Sequence, residues 1–269
     1  MPKDERLTHT LDGPYSVTPI AMVTSDFEEK FAVPRQPGLA PSARARLVLI
    51  PPFDRPEALK GLDQHSHLWL IFRFHLAQRS TPTSSEDIAE ANPDSTFKPT
   101  VRPPRLGGNQ KLGVFASRSP FRPNSMGLSV VKLEAVHADD PNGPWIEISG
   151  ADLVDGTPIL DIKPYIPYAD SLSEAHSEWA ATAPIQRPVS FSPEALATTA
   201  QHQEPERLKA VIEEVLSQDP RPAYQQQHPD VDRIYGVRLM GVNVRFRCLS
   251  DDTQPAPHAT RFEVIELKP

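Results

Sequence analysis

A chain of 269 residues, 38% of them apolar, is long enough to bury one large core or two smaller ones. Cys248 is the only cysteine, which excludes an intramolecular disulfide and the paired-cysteine zinc site of nucleobase deaminases, and no metal is expected. No run reaches the roughly 18 apolar residues of a membrane span, and the start MPKDERLTHT lacks the apolar stretch of a signal peptide, so a cytoplasmic chain without membrane association is expected.

The formal net charge of −7 speaks at first against a nucleic-acid partner, because phosphate binding is largely electrostatic. The distribution of charge says otherwise. Lys98 to Lys132 holds seven Lys or Arg residues and no acid, whereas Glu134 to Glu178 holds ten acids against the single Lys163. Lys30 to Phe53 and Arg233 to Arg247 each add four basic residues without an acid. Basic islands in an acidic chain suit a local anion-binding face, the alternative being solvated charge.

In chain order, Met1 to Gly13 is polar and expected to fray, and Tyr15 to Val23 alternates weakly, as a first strand would. AVPRQPGLAP, Ala32 to Pro41, is too rich in Pro and Gly for regular structure. Ala45, Leu47 and Leu49 then recur with a period of two, Pro51-Pro52 ends that strand, and a short turn or helix follows around Glu57 to Leu62. His67 to Leu76 reads as a central strand with His75 at its end. Gln78 to Thr96 reads as a polar insertion.

The chain is organised around Lys111 to Lys132. Pro120 and Pro123 fix φ and remove two backbone donors, so Ser117 to Met126 is a stiff connection presenting Arg118, Phe121 and Arg122, a set suited to anions and stacked bases. Strands are expected at Leu128 to Val136 and Trp145 to Ser149. Asp152, Asp155 and Asp161 lack the alternation of an EF-hand. Asp161 and Lys163 share one face of a strand beside Tyr165, as a surface ion pair or as a base and a cation lining a pocket.

Beyond Asp170 the character changes. Ala175 to Pro188 reads as a linker, Ser192-Pro193 as a capped helix start, and Leu208, Val211, Ile212, Val215 and Leu216 keep a helical spacing. A hairpin about Met240-Gly241 and a strand at Phe262 to Leu267 complete the chain, with Asn243, Arg245 and Arg247 on one face. The reading is mainly β: an antiparallel β-barrel domain over 1–174, a linker over 175–190 and a smaller α+β domain over 191–269.

Several blocks carry a resemblance: VPRQPGL from Val33, SARARL from Ser42, SHLW from Ser66, VRPPRLGGN from Val101, GVFASRSPFRPN from Gly113, GLSVVKL from Gly127, DLVDGTPILDIKPYIPYADS from Asp152 and DPRPAY from Asp219. In this order, over nearly the whole chain, they resemble the TsaA/TrmO family. The resemblance implies an S-adenosyl-L-methionine-dependent tRNA methyltransferase acting on N6 of threonylcarbamoyl-adenosine beside the anticodon. It also implies a β-barrel catalytic domain and a homodimer with cofactor pockets near the subunit interface. Cofactor contacts carry over to Gln36, Pro37, Gly38, Phe74, His75, Arg118, Leu128, Ser149, Gly150, Ala151 and Asp152. The sequence departs from the usual pattern at Ser125-Met126, where Pro-Ile is commoner, and in the insertion after Gln78.

Methyl transfer from a sulfonium is an in-line displacement dominated by positioning. The carbonyl on the substrate nitrogen makes it a poor nucleophile with a more acidic proton, so a base would help, and Asp155 and Asp161 are the candidates. Lys163 and Tyr165 complete that pocket. Arg122 or Lys163 would pair the threonyl carboxylate, Phe121 would stack on the base with Asn124 nearby, and Arg245, Arg247 and the Lys98 to Arg105 island would hold anticodon stem-loop phosphates. A cofactor-binding regulatory module or a small-molecule methyltransferase is the alternative.

Overall fold

The computed structural model of the chain describes residues 16–77, 98–106, 110–222, 225–226, 230–250 and 260–269. The expectations for the N-terminal tail and for the Gln78 to Thr96 insertion lie outside them.

The first half supplies β1 (Ala21–Ser25), β2 (Arg44–Leu49), β3 (His67–Arg73), the two-residue strands β4 (Thr100–Val101) and β5 (Leu112–Gly113), β6 (Met126–His137), β7 (Trp145–Ser149) and β8 (Pro158–Pro164), followed by the single-turn helix α1 (Pro167–Asp170). Six of these strands close into an antiparallel barrel in the order β1-β2-β7-β6-β3-β8, while β4 and β5 form a separate ribbon. Closure follows from alternation: Ala45, Leu47 and Leu49 of β2, Leu68, Leu70 and Phe72 of β3, and Ile146 and Ile148 of β7 all face one interior. β3 is thus half-buried, with Trp69 and Ile71 on its outer face. The first strand begins later than its weak alternation suggested, at Ala21.

The second half supplies β9 (Val189–Phe191), α2 (Pro193–Thr199), α3 (Pro205–Ser217), β10 (Ile234–Leu239), β11 (Val242–Ser250) and β12 (Thr260–Lys268). The sheet order is β10-β11-β12-β9, with β9 parallel to β12. The Ser192 hydroxyl caps α2 by accepting from the Ala195 N–H at 3.0 Å. The helical stretch is broken: α2 ends at Thr199 and Pro205 opens α3, which buries Leu208, Val211, Ile212, Val215 and Leu216 against the sheet. The segment read as a linker runs into β9, which begins at Val189.

The stretch between β1 and β2 serves both halves. Phe27, Ala32, Ala40 and Ala43 are buried in the core of the second half, Phe27 bridges to Leu239, and Asp26 accepts from the Arg44 N–H at 2.7 Å while pairing with Arg207 at 2.5 Å. No helix among the described residues is long and apolar enough to cross a membrane.

Candidate functional site

The barrel rim beside this shared stretch gathers residues from four parts of the chain. Gly38, at φ 78°, donates its N–H to the Gly150 carbonyl at 2.8 Å, and Gly150, at φ 69°, donates to the Ala43 carbonyl at 3.0 Å. Glycine is favoured at both positions because both backbones sit in the left-handed region. The β1–β2 loop is thereby laid against the turn that leaves β7.

Arg118 reaches across to this loop, its Nη1 donating to the Gln36 Oε1. The same guanidinium acts on Asp152, two residues beyond Gly150. Burial pushes the Asp152 carboxyl above its ordinary range, opposed by the Ser129 hydroxyl, which donates to its Oδ1 at 2.7 Å, and by the charge of Arg118. Ser129 is an inward position of β6 in a file otherwise made of Gly127, Val131 and Leu133, and the sequence reading passed over it. A hydroxyl facing a barrel interior needs a partner, which is the signal that could have found it. Ser149, on the other side of the turn, donates instead to Glu134, which that bond and Lys132 hold below the usual carboxylate range.

The connection after β5 is braced from within. Arg122 donates to the Ser117 carbonyl at 2.7 Å and the Val114 carbonyl at 3.3 Å, and the Ser117 hydroxyl donates to Val114 at 2.8 Å. Arg122 therefore shapes the loop, leaving Arg118, Phe121 and Asn124 on its exposed side. Phe121 is 49% exposed and lies on the same chain segment as Met126 and Leu128, 37% and 52% exposed on the outer face of β6.

A second group lies past the end of β3. Phe74 packs edge-on against Phe72 with ring centroids 5.1 Å apart. His75 approaches Gly156, and its pKa is lowered by burial and by the charges of Lys30 and Arg73, with Asp155 opposing. The Asp155 carboxylate accepts from the Ser25 N–H at 2.9 Å and its own N–H donates to the Phe27 carbonyl at 2.8 Å, so it ties the turn before β8 to β1. Asp161 and Lys163 are placed on the exposed outer face of β8, opposite Ile71 and Trp69 of β3. Asp161 accepts from the Ile162 N–H at 2.9 Å, and Tyr165 packs on Trp69 with centroids 6.0 Å apart.

The C-terminal face is different in kind. Arg245 pairs with Glu266 at 2.8 Å and Arg247 with Glu263 at 2.6 Å, so the strip that reads as basic along β11 is neutralised by β12. Among the described residues no carboxylate forms an ion pair with Lys98, Arg102, Arg105, Lys111, Arg118 or Arg122. No cluster of three or more His, Cys, Asp and Glu that could hold a metal ion occurs among them either.

The model of the tRNA-methyltransferase O N-terminal domain matches residues 22–171, and that of the TrmO C-terminal domain matches 184–268. The chain belongs to the TrmO family. It is 42% identical to the tRNA (adenine(37)-N6)-methyltransferase of Escherichia coli K12 over 255 residues, 93% of this chain and 96% of that one. The protein of the same name from Eikenella corrodens is 43% identical, covering 68% of this chain and 90% of its own. The crystal structure of TrmO from Pseudomonas aeruginosa superposes with a TM-score of 0.71 at 38% identity, over 96% of this chain and 99% of that chain. In this TrmO-family member the barrel, the Arg118 loop and the Gly38–Gly150 contact all fall within the N-terminal family domain.

Proposed function

We propose that the protein is an S-adenosyl-L-methionine-dependent tRNA (adenine37-N6)-methyltransferase that selects threonylcarbamoyl-adenosine, with its cofactor at the junction of Gln36–Gly38, Arg118 and the turn Ser149 to Asp152. The observation that carries the reading is the Arg118 side chain bonded to Gln36, with the half-buried Asp152 carboxylate, held by Ser129, within range of its charge. The residues fit the cofactor: a guanidinium suits its carboxylate, and a Cβ-free Gly38 has open space beside it. Leu128, Phe74 and His75 offer apolar and aromatic surface for its adenine. When bound, the cofactor supplies an electrophilic methyl carbon on a sulfonium.

The chain's own work is positioning and proton removal. Phe121 is exposed on the braced loop and stacks on the target base, with Asn124 beside it. Lys163, exposed and without an ion pair among the described residues, answers the threonyl carboxylate; Arg122 is occupied with carbonyls of its own loop. Asp152 is a stronger candidate than Asp155 or Asp161 for taking the N6 proton. Desolvation raises its basicity, whereas Asp155 is committed to Ser25 and Asp161 accepts from its neighbour. Tyr165 then belongs to the wall of the pocket.

Transfer of labelled methyl to tRNA carrying threonylcarbamoyl-adenosine, and not to unmodified tRNA, is the expected result of incubation followed by nucleoside mass spectrometry. Transfer to neither, with cofactor still bound, would replace this reading by a binding module or a small-molecule methyltransferase.

The ribbon of β4 and β5 presents Lys98, Arg102 and Lys111 to solvent just before the Arg118 loop, and these hold the anticodon stem-loop phosphates. Replacing all three by Ala should raise the KM for tRNA about ten-fold and lower the salt dependence of binding, while Arg245→Ala with Arg247→Ala should do less, because each already has a carboxylate. An unchanged KM in the triple variant would remove the ribbon from the interface. The exposed apolar positions Phe121, Met126 and Leu128, close together along the chain, favour a homodimer with the cofactor pocket near its interface, and a monomer mass in sedimentation equilibrium at micromolar concentration would exclude it.

A further inference from the structure

The loop carrying Gln36, Pro37 and Gly38 is held from two sides, and only one of them is the barrel. On the other side stands α3 with the turn that follows it. Glu214 accepts two hydrogen bonds from Ser42, from its N–H at 3.0 Å and from its hydroxyl at 2.7 Å. Gln218, one turn further along the same helix face, donates to the Leu39 carbonyl at 2.8 Å and to the Glu214 carbonyl at 2.7 Å. The Arg35 guanidinium reaches the Arg221 carbonyl at 3.5 Å. Arg221 is itself immobilised, fully buried, bound to Asp219 by hydrogen bonds of 2.8 and 2.9 Å and set over the Phe262 ring at 5.3 Å.

These tethers fall at positions 35, 39 and 42 and so bracket residues 36–38, while Ala32, Ala40 and Ala43 are buried in the C-terminal core. Packing alone needs neither a carboxylate nor an amide at this boundary; apolar side chains would cover it at lower desolvation cost. A carboxylate that takes both polar hydrogens of one residue fixes where that residue sits. We propose that Glu214 and Gln218 are positioning residues for methyl transfer: the C-terminal helix sets the place of the Gln36–Gly38 loop, and through Gln36 the orientation of Arg118. This rests on the reading of that loop and Arg118 as cofactor contacts.

The test is calorimetric titration of the full-length protein with S-adenosyl-L-methionine, together with steady-state kinetics on modified tRNA. Glu214→Ala should weaken cofactor binding on the order of ten-fold, raising the cofactor KM while kcat at saturating cofactor and the tRNA KM stay within about two-fold. Glu214→Gln, which can still accept from the Ser42 N–H and donate to its hydroxyl, should restore affinity; failure to restore it would overturn the tether. Ser42→Ala removes one bond from the loop side and should weaken binding about three-fold, so it decides the matter if the helix variant does not fold; unchanged affinity there would overturn the proposal. Unchanged cofactor affinity in Glu214→Ala beside a loss in Arg118→Ala would refute the tether alone. Unchanged affinity in both would refute the cofactor site itself, and the tether with it.

Discussion

Replacing Arg118 with Ala is expected to lower kcat/KM for the cofactor by about 30- to 100-fold, the loss of one charge-assisted contact of about 2–3 kcal/mol. Three consequences converge on that figure. The cofactor carboxylate would lose the guanidinium proposed for it; the Gln36 Oε1 loses its donor, freeing the loop beside Gly38; and Asp152, already pushed up by burial, loses the cation that opposes the shift. The last effect has a signature of its own. Because Arg118 lowers the Asp152 pKa, its removal raises that pKa further, and the acid limb of the pH–rate profile should move to higher pH. Arg118→Lys keeps the charge but not the planar fork, so it should recover the position of the acid limb more fully than the affinity. Steady-state kinetics across pH with all three proteins checks both halves. Unaltered cofactor KM in Arg118→Ala would take Arg118 out of the site.

The contrast between the two groups of arginines shows what a linear sequence can and cannot convey. The stiff Arg118 loop was legible because Pro120 and Pro123 leave the backbone few choices, and the barrel because its strands alternate with a period of two around short turns. The strip at Asn243 to Arg247 was equally legible as one face of a strand, but its charge was not. Glu263 and Glu266 come from β12, and only the β11–β12 register brings them opposite. Asp155 and Asp152 divide in the same way. Both lie between β7 and β8 at the rim, yet one is turned to the Ser25 N–H and the other is half-buried, bonded to Ser129 and within range of the Arg118 charge, a difference created by residues 23 to 130 positions away. The tethers from Glu214 and Gln218 were illegible for the same reason: their periodicity placed them on a helix, and nothing local says that the helix stands against residues 39 and 42.

Gly127→Ala should both destabilise the barrel and weaken the cofactor, although residue 127 touches neither charge nor substrate. A Cβ there would lie 2.3 Å from the Phe72 Cζ and 2.4 Å from its Cε2, well inside any real contact, because β3 and β6 pair directly at these two residues. The ring fills the inside of the barrel at this end and cannot stay where it is. Overpacking of this kind costs about 1–3 kcal/mol, which denaturant unfolding would register as a lower midpoint at unchanged slope. The direction of escape couples stability to function. Phe72 packs edge-on against Phe74, whose N–H is held by the Ser125 carbonyl at 2.7 Å, so a displaced Phe72 presses on a side chain assigned to the cofactor wall and on the end of the Arg118 loop. A control separates the two effects. Phe72→Leu in the Gly127→Ala background removes ring atoms from the clash and should recover much of the midpoint, but without the aromatic edge that orients Phe74 the cofactor affinity should recover less. Full recovery of both together would mean that Phe74 is positioned by its backbone alone. A Gly127→Ala protein as stable as the parent would show that the barrel yields at this end, and that glycine is not what the close approach of β3 and β6 demands.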